Sequence, residues 1–465
     1  MEKGKKTKEK TDSNTTVKLD DAILLLDNYD QDSRNLHLSF KAAGFEYPAV
    51  VIEDDGFLPD DVTAVYHFFL GDFKAVLGDA ARPKYFNEIR VPDYWEISGT
   101  NTSGKVQDLD KERGRIFYAE PKHKRMVRVV DWYDERGVVR SSDHYNRYGA
   151  IYGRTIFNAK GQKVNKSYFS ADGREVIVEN FVTGDIILNE ENEVRIFHNK
   201  TEFVLYFFAR AGFKQNRIFY NSLSTPYFVS NRLKSPEKRD VLFWQEPKRD
   251  DIPGNMQSIF KGEAGRTAMV IVQKKKSYDK LIELGAKKSM IHKLGFVYPF
   301  AKENMHRPEA LICTNSDHIE HCEDLIKALP QMHFHIAALT EMSLKLTKMG
   351  RYANVSLYPG VRTAILMELF ERCDYYFDIN HESEIVSAVY RAFLHNHMIF
   401  AFQETMHQAD YTAEEYVYPA NEWERMRMDA EAAMSDIKAL KKMLQKQRKS
   451  ALSETVKSYQ NLGEL

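Results

Sequence analysis

A glycine recurs every twelve residues through the middle of this chain, at Gly137, Gly149, Gly161 and Gly173, with Gly184 eleven further on. Each of the first four closes the same kind of word: YDERG, YNRYG, FNAKG and FSADG. An aromatic residue opens each word, at Tyr133, Tyr145, Phe157 and Phe169. Asp134, Asn146, Asn158 or Ser170 follows it. Asp, Asn or Ser at the first turn position, with glycine at the fourth, spells a type I turn closed by a left-handed residue. The side-chain oxygen takes a backbone N–H two residues on, and glycine supplies the positive φ. Short β-branched and aromatic runs separate the turns, as in REVIVENF. This register predicts one antiparallel meander over roughly residues 115–200. Hairpin chemistry alone names no ligand.

The rest of the chain has a different rhythm. LDDAILLLDN (19–28) reads as a buried strand and a turn, SRNLHLSFKAAGF as a helix stopping at Gly44, and PAVVIEDDG as a second strand. Such apolar runs suit a parallel sheet covered on both faces. The alternation resumes at TEFVLYFFARAG, continuing through RIFYN, DVLFWQE, TAMVIVQ, the helix SYDKLIELGA and HKLGFVYPF. A second series begins near residue 306 with the strand ALICTNSD and the helix HIEHCEDLIKAL, capped by Asp317 with Glu320 three later. HFHIAAL, NVSLYPG, CDYYFDIN and HMIFAF are further strands, and SEIVSAVYRAFLHN is a helix. Trp423, Met426, Ala430, Ala433, Ile437, Leu440 and Leu444 form one apolar stripe, predicting a single C-terminal helix that docks back on the first domain or, alternatively, carries a partner helix.

The expected fold class is therefore α/β: two Rossmann-like domains, with an antiparallel β-meander extension domain inserted in the first. The expected boundaries are a tail at 1–18, the first domain at 19–75 and 201–305, the extension at 76–200, the second domain at 306–420 and the helix at 421–465. In such folds the ligand cleft lies outside the carboxyl ends of the strands.

With 465 residues, 43% hydrophobic and 29% charged, the chain reads as a globular protein of two or three domains. A net charge of −1 excludes the electrostatic footprint of a nucleic-acid binder. No apolar run is long enough to span a bilayer. The polar, basic start MEKGKKTKEKTDSNTT is not a secretory signal and reads as a disordered tail, weakly drawn to an anionic surface. Three cysteines, Cys313, Cys322 and Cys373, form no C-x-x-C pair and point to a reducing compartment.

Catalytic and cofactor motifs are sparse. There is no G-x-G-x-x-G and no Walker lysine loop, and GEAGRT is a plain turn. His318 and His321 share a predicted helix face, and His333 and His335 alternate on a strand. No carboxylate or cysteine set has matching spacing, so no metal is expected. HNH at 395–397 is too short to carry weight. The most polar loop is QEPKRDDIPGNM, with Gln245, Glu246, Pro253, Gly254 and Asn255 after a buried strand. Such a loop can hydrogen-bond a sugar or a peptide, or simply turn the chain.

Several long words resemble one known family: LLDNYDQDSRNLHLSFKAAGF, VVIEDDGFLP, FYNSLSTPYFVSNRL, LFWQEPKRDDIPGNMQSIF, ALICTNSDHIEHCEDLIKALPQMHFHIAALTEMS and NVSLYPGV. The chain resembles, over about residues 20–420, the stabilising (chaperone) subunit of the protein O-GlcNAc transferase of the accessory Sec system. The resemblance implies a GT-B fold, with the twelve-residue repeat as its β-sheet extension. It implies a cytoplasmic protein, with peripheral contact to the inner face of the cell membrane left open. It implies two partners and no cofactor. One partner is the catalytic O-GlcNAc transferase subunit, in a heterotetramer; the other is the serine-rich repeat adhesin whose Ser and Thr are modified from UDP-GlcNAc. Active retaining relatives use a Glu-x7-Glu pattern in the second domain. Here the segment is DINHESEIVSAVYRAF: eight residues after Glu382 stands Tyr390, and eight after Glu384 stands Ala392. Active relatives also place Arg and Lys after the first strand of that domain. Here TNSDHIEHCED offers Asp317, Glu320, Glu323 and Asp324, and no cation before Lys327. Acids facing a diphosphate repel it in a low-dielectric cleft. The expectation is a non-catalytic subunit that binds acceptor through the 245–256 loop (Gln245, Glu246, Pro253, Gly254, Asn255) and the turn bearing His381, Glu382 and Glu384. An active retaining GT-B glycosyltransferase and a β-repeat scaffold without sugar chemistry are the alternatives.

Overall fold

A computed structural model describes residues 22–233 and 239–464; the tail expected at 1–18 lies outside the described residues. The buried run AILLL becomes a central strand, Ala22–Leu26, of a seven-stranded sheet. Across that sheet run Ile291–Lys293, Thr267–Val272, Asp240–Trp244, Arg217–Tyr220, Ala22–Leu26, Ala49–Val51 and Val62–Ala64, all parallel. A second parallel sheet has six strands in the order Val355–Tyr358, His333–Ala338, Glu309–Thr314, Tyr375–Asp378, Met398–Phe402 and Val417–Tyr418. These are the two Rossmann-like halves of a GT-B fold.

Between Ala64 and Arg217 lies a ten-stranded antiparallel sheet whose strands follow one another in chain order from Glu96–Gly99 to Val194–Phe197. The turn words close as their chemistry dictates. Gly137, Gly149, Gly161 and Gly173 have φ of 76°, 80°, 74° and 85°. Each donates its N–H to the carbonyl three residues back, from Asp134, Asn146, Asn158 and Ser170, at 2.9–3.0 Å. Asp134, Asn146 and Asn158 each accept a second backbone N–H through the side-chain oxygen, from Arg136, Tyr148 and Lys160. The Ser170 hydroxyl instead donates, to Asp172 and to the Arg174 carbonyl. The sheet also starts earlier than residue 115, because Glu96–Gly99 and Ser103–Asp108 pair ahead of the repeat through a hairpin that lacks its word.

Three expectations need correction. The stretch HIEHC is not helical: the helix is Cys322–Ala328, and His321 precedes it at φ 47°. Residues 318–320 pair with 379–381 instead, with Glu320 N–H to Ile379 O at 2.8 Å, so neither Asp317 nor Glu320 caps the helix. The helix drawn from Ser383 onward begins only at Ala388. The C-terminal stripe is two helices, Trp423–Ser435 and Ile437–Ser450, broken where the Asp436 carboxylate accepts the Lys438 N–H. Their apolar faces (Met426, Ala430, Ala433, Leu440) pack with Ile312 and Phe400 of the second sheet, not on the first domain. The chain returns there from Ala451 onward: Phe296 N–H bonds Leu452 O at 3.1 Å, and in the last short helix, Val456–Gln460, Tyr459 sits 5.3 Å from the Phe40 ring and donates to Gly295 O at 2.7 Å.

The two halves share one apolar cluster, in which Leu24, Phe219 and Phe243 meet Leu311, Tyr376 and Phe393. The segment crossing between them is tied down by Asp374, which has no solvent exposure. Its carboxylate accepts from Lys302 Nζ at 2.7 Å, Arg307 Nε at 3.0 Å and the backbone N–H groups of Met305 and Arg307. Such a buried charge is tolerated because its partners satisfy every lone pair.

The turn repeat supplies a direct test. A methyl group at Gly149 meets Arg82 O at 2.4 Å, whereas at Gly161 it meets nothing within 4 Å. Both positions need positive φ. Gly161→Ala therefore costs about 1 kcal/mol and Gly149→Ala about 2–4 kcal/mol in urea unfolding; equal losses contradict the assigned packing.

Candidate functional site: the cleft between the two halves

The carboxyl ends of the first sheet carry a row of amides. Asn221 Oδ1 accepts Asp27 N–H at 2.9 Å, and its Nδ2 donates to Ser33 Oγ at 2.9 Å and to Gln245 Oε1 at 3.0 Å. Gln245 passes the chain to Gln273 at 2.8 Å, and Gln273 donates to the Tyr459 hydroxyl at 3.3 Å. Gln245, expected to face a ligand, is thus buried in a structural network. Asn255 donates to Leu223 O at 3.0 Å, and Pro253 and Gly254 begin the helix Gly254–Lys261. Glu246 is half-exposed and pairs with Arg249 at 3.2 Å.

The turn after Tyr375–Asp378 forms the second group. His381 Nε2 lies 2.5 Å from Glu320 Oε2. The Glu382 carbonyl accepts from Asn380 Nδ2 at 3.1 Å and His407 Nε2 at 2.5 Å, while its carboxylate is exposed. Glu384 turns inward: one oxygen accepts the Val389 N–H at 2.7 Å and the other the Gln408 amide at 2.5 Å. Burial raises its pKa. No hydrogen bond or ion pair joins this turn to the 245–255 loop among the described residues.

The cavity between the halves has a volume of about 610 Å³. Its walls come from the loops after Ala22–Leu26 and Ala49–Val51, from the edge of the meander, and from the start of Ala388–Leu394. Tyr29, Arg34, Asp55, Arg128, Tyr390 and Arg391 stand on them. The lining acids Asp30, Glu53, Asp55 and Glu120 face the three arginines, so the cleft is nearly neutral. Its rim holds Val386 and Ser387 at φ 49° and 52°, a conformation seldom adopted by a β-branched residue and frequent at ligand sites.

The position of the missing second carboxylate has a use. Tyr390, eight after Glu382, points its hydroxyl across the seam and donates to Asn35 Oδ1 of the first half at 2.7 Å. Burial raises its pKa to about 12, so it remains a neutral donor. The Glu384 carboxylate meanwhile occupies the start of the following helix, where an anionic ligand would otherwise sit. The other electrostatic expectation is softened by the fold. Glu323 is paired by Lys327 and Arg351, both at 2.7 Å, and Asp324 by His321 at 2.8 Å.

Sequence reasoning missed Arg34 and Arg128. Arg34 lies over the Tyr29 ring at 5.7 Å, and neither guanidinium makes a hydrogen bond or salt bridge among the described residues. The Arg128 Nε is buried without a partner. No local sequence signal distinguishes these two arginines from surface ones.

Domain models of one family match in sequence order: GtfB N-terminal domain at 23–69, GtfB middle domain at 95–198, GtfB third domain at 200–284 and GftB/GlyA-F C-terminal domain at 310–447. A Streptococcus agalactiae protein named UDP-N-acetylglucosamine--peptide N-acetylglucosaminyltransferase stabilizing protein GtfB is 43% identical over 95% of this chain and 98% of its own. The chain belongs to the GtfB family. The Streptococcus gordonii GtfB of the same name is 39% identical over 94% of this chain and 97% of its own. A crystal structure of a GtfA/B complex bound to UDP and GlcNAc contains a chain 38% identical to this one, with a TM-score of 0.87, covering 94% of this chain and 98% of that one. Within the GtfB family frame, the matched middle domain falls on the ten-stranded sheet.

Two side chains of the cleft and its floor can be tested. Tyr390→Phe removes the donor from across the seam, while Gln31 Nε2 still serves the Asn35 oxygen at 3.0 Å, so stability falls by about 1 kcal/mol in urea unfolding; an unchanged midpoint rules out the cross-seam bond. His407 titrates. Burial lowers its pKa, but the Asp378 carboxylate at 2.5 Å and the Glu382 carbonyl outweigh this and raise it from 6.5 to about 9. The raised value means that its stabilisation is full below about pH 6.5 and is lost as pH rises through about 9. After solvent screening, the stability gap between the wild type and His407→Gln shrinks by roughly 2 kcal/mol from about pH 6 to about pH 10. A gap that does not change with pH removes the charged pair.

Proposed function

We propose that this chain is the non-catalytic, stabilising partner of a catalytic GlcNAc transferase, and that its own cleft receives acceptor polypeptide rather than nucleotide sugar. One observation carries the reading: Tyr390 stands at the second carboxylate position of the active pattern and is used to join the two halves to each other through Asn35. With Glu384 on the helix start, the cleft keeps its volume but lacks the acid pair and the anion seat of a sugar-nucleotide site.

The nearly balanced walls suit a neutral, hydroxyl-rich chain. Arg34 and Arg128 present fork-shaped donors to carbonyls and hydroxyls, which Ser/Thr-rich sequence offers densely. The finer reading is that the acceptor is a serine-rich repeat adhesin destined for accessory Sec export, and that two copies of each subunit assemble as a heterotetramer. In the same reading the protein works in the cytoplasm and touches the inner face of the membrane peripherally. The exposed Glu246 and Glu382, and the turns around Gly254 and His381, then flank the cleft as outer acceptor contacts.

Calorimetric titration of the isolated chain separates the outcomes. An unglycosylated Ser/Thr-rich peptide is expected to bind saturably, and Arg34→Ala or Arg128→Ala to weaken it about tenfold, the worth of one charge-assisted hydrogen bond. UDP-GlcNAc is expected to give no turnover. Release of UDP, or transfer to peptide by the single chain, establishes the active-enzyme alternative instead.

A further inference from the structure

We propose that His318, Glu320 and His381 form a binding site for one divalent zinc-class ion at the mouth of the second sheet, outside the interdomain cavity. One ligand atom from each residue lies within 4.8 Å of the other two. A tetrahedral set around zinc needs ligand atoms ~3.4 Å apart at bond lengths of ~2.1 Å. The backbone that carries these three ligands is already held.

The holding is unusually complete for two loops. His381 N–H donates to His318 O at 3.1 Å and Glu320 N–H to Ile379 O at 2.8 Å, so the segments 318–320 and 379–381 run as a two-stranded clip. Asn380, 2% exposed, anchors that clip from below. It accepts from Thr314 at 2.6 Å and donates to Asn315 and to the Glu382 carbonyl. Such preorganisation is what a metal site requires of its scaffold.

The side chains have the matching chemistry. The His318 and His381 rings stack face to face with centroids 3.8 Å apart and planes 15° from parallel. The His318 ring makes no hydrogen bond among the described residues and is exposed to an incoming ion. Glu320 lies against His381 Nε2 at 2.5 Å through one oxygen and near His321 Nε2 at 3.5 Å through the other. His321 is itself held by Asp324 at 2.8 Å and stacked on Trp423 at 5.6 Å. Held in this way, it stands beside the Glu320 carboxylate in the outer shell of the site. Two imidazoles and one carboxylate, with no thiolate, select zinc over magnesium or calcium and leave a fourth position for water.

The test uses the untagged full chain, stripped with chelator and then titrated with zinc chloride or magnesium chloride. Bound metal is counted by mass spectrometry after gel filtration. The expected result is one zinc retained per chain, a rise in melting temperature with zinc but not magnesium, and at least about tenfold weaker zinc binding in His318→Ala, His381→Ala and Glu320→Gln. His292→Ala, at an exposed histidine elsewhere, is expected to bind as the wild type does. His318→Ala decides the matter should the other two variants fold poorly, since its ring is exposed. No retained zinc, or retention that survives His318→Ala unchanged, overturns the site.

Discussion

The hydrogen bond from Tyr390 to Asn35 crosses the seam between the two parallel-sheet halves, beside the Asn35–Tyr411 contact at 3.5 Å and the Lys274–Asp410 ion pair at 3.1 Å. Around it the seam is apolar: Leu24, Phe219 and Phe243 on one side, Leu311, Tyr376 and Phe393 on the other. Apolar contact is non-directional and tolerates sliding. A phenol aimed at a buried amide does not, because a displaced donor loses its acceptor. The Asn35 amide, the Tyr411 ring beside Tyr390 and the amide row from Asn221 to Gln273 form the polar floor next to the cleft. Cleft width is therefore a property of this bond as much as of the loops that line it.

Much of the architecture was legible because it is written locally. The turn words need only five residues each, and the buried parallel strands are short apolar runs. What escaped is non-local. Residues 318–320 read as the first turn of a helix, yet their N–H and C=O groups find partners on a loop some sixty residues later. The break at Asp436 was readable in principle, since Asp before a helical run is a cap signal. The unbroken apolar stripe hid it. Gln245 stands at a strand end as expected, but its amide is bonded into a network, because its amide neighbours, Asn221 and Gln273, come from the ends of two other strands.

The site shows the same division. That the active carboxylate pattern is incomplete can be read from the order of residues alone. That its replacement joins the halves, and that Arg34 and Arg128 face a cavity with free donors, depends on the tertiary fold. The same applies to the histidines. His318 and His321, two helix-face residues by spacing, become a stacked ring and a neighbour of the Glu320 carboxylate once His381 arrives from the neighbouring strand. Charge behaves likewise: the acids of the 317–324 loop appear unopposed until Arg351 is folded against Glu323.

The strand order has a consequence for how such a chain is made. Ala22–Leu26 finds one of its two neighbours in Ala49–Val51 but the other only in Arg217–Tyr220. Every strand of the inserted sheet, by contrast, pairs with the strand just before or after it. Synthesis from the amino terminus thus delivers a complete insert while the central strand of the surrounding sheet still has one open edge. Short-range pairing closes quickly and distant pairing slowly. An unpaired apolar edge is a liability until it is covered, and here the wait lasts for the time the ribosome takes to add well over a hundred residues.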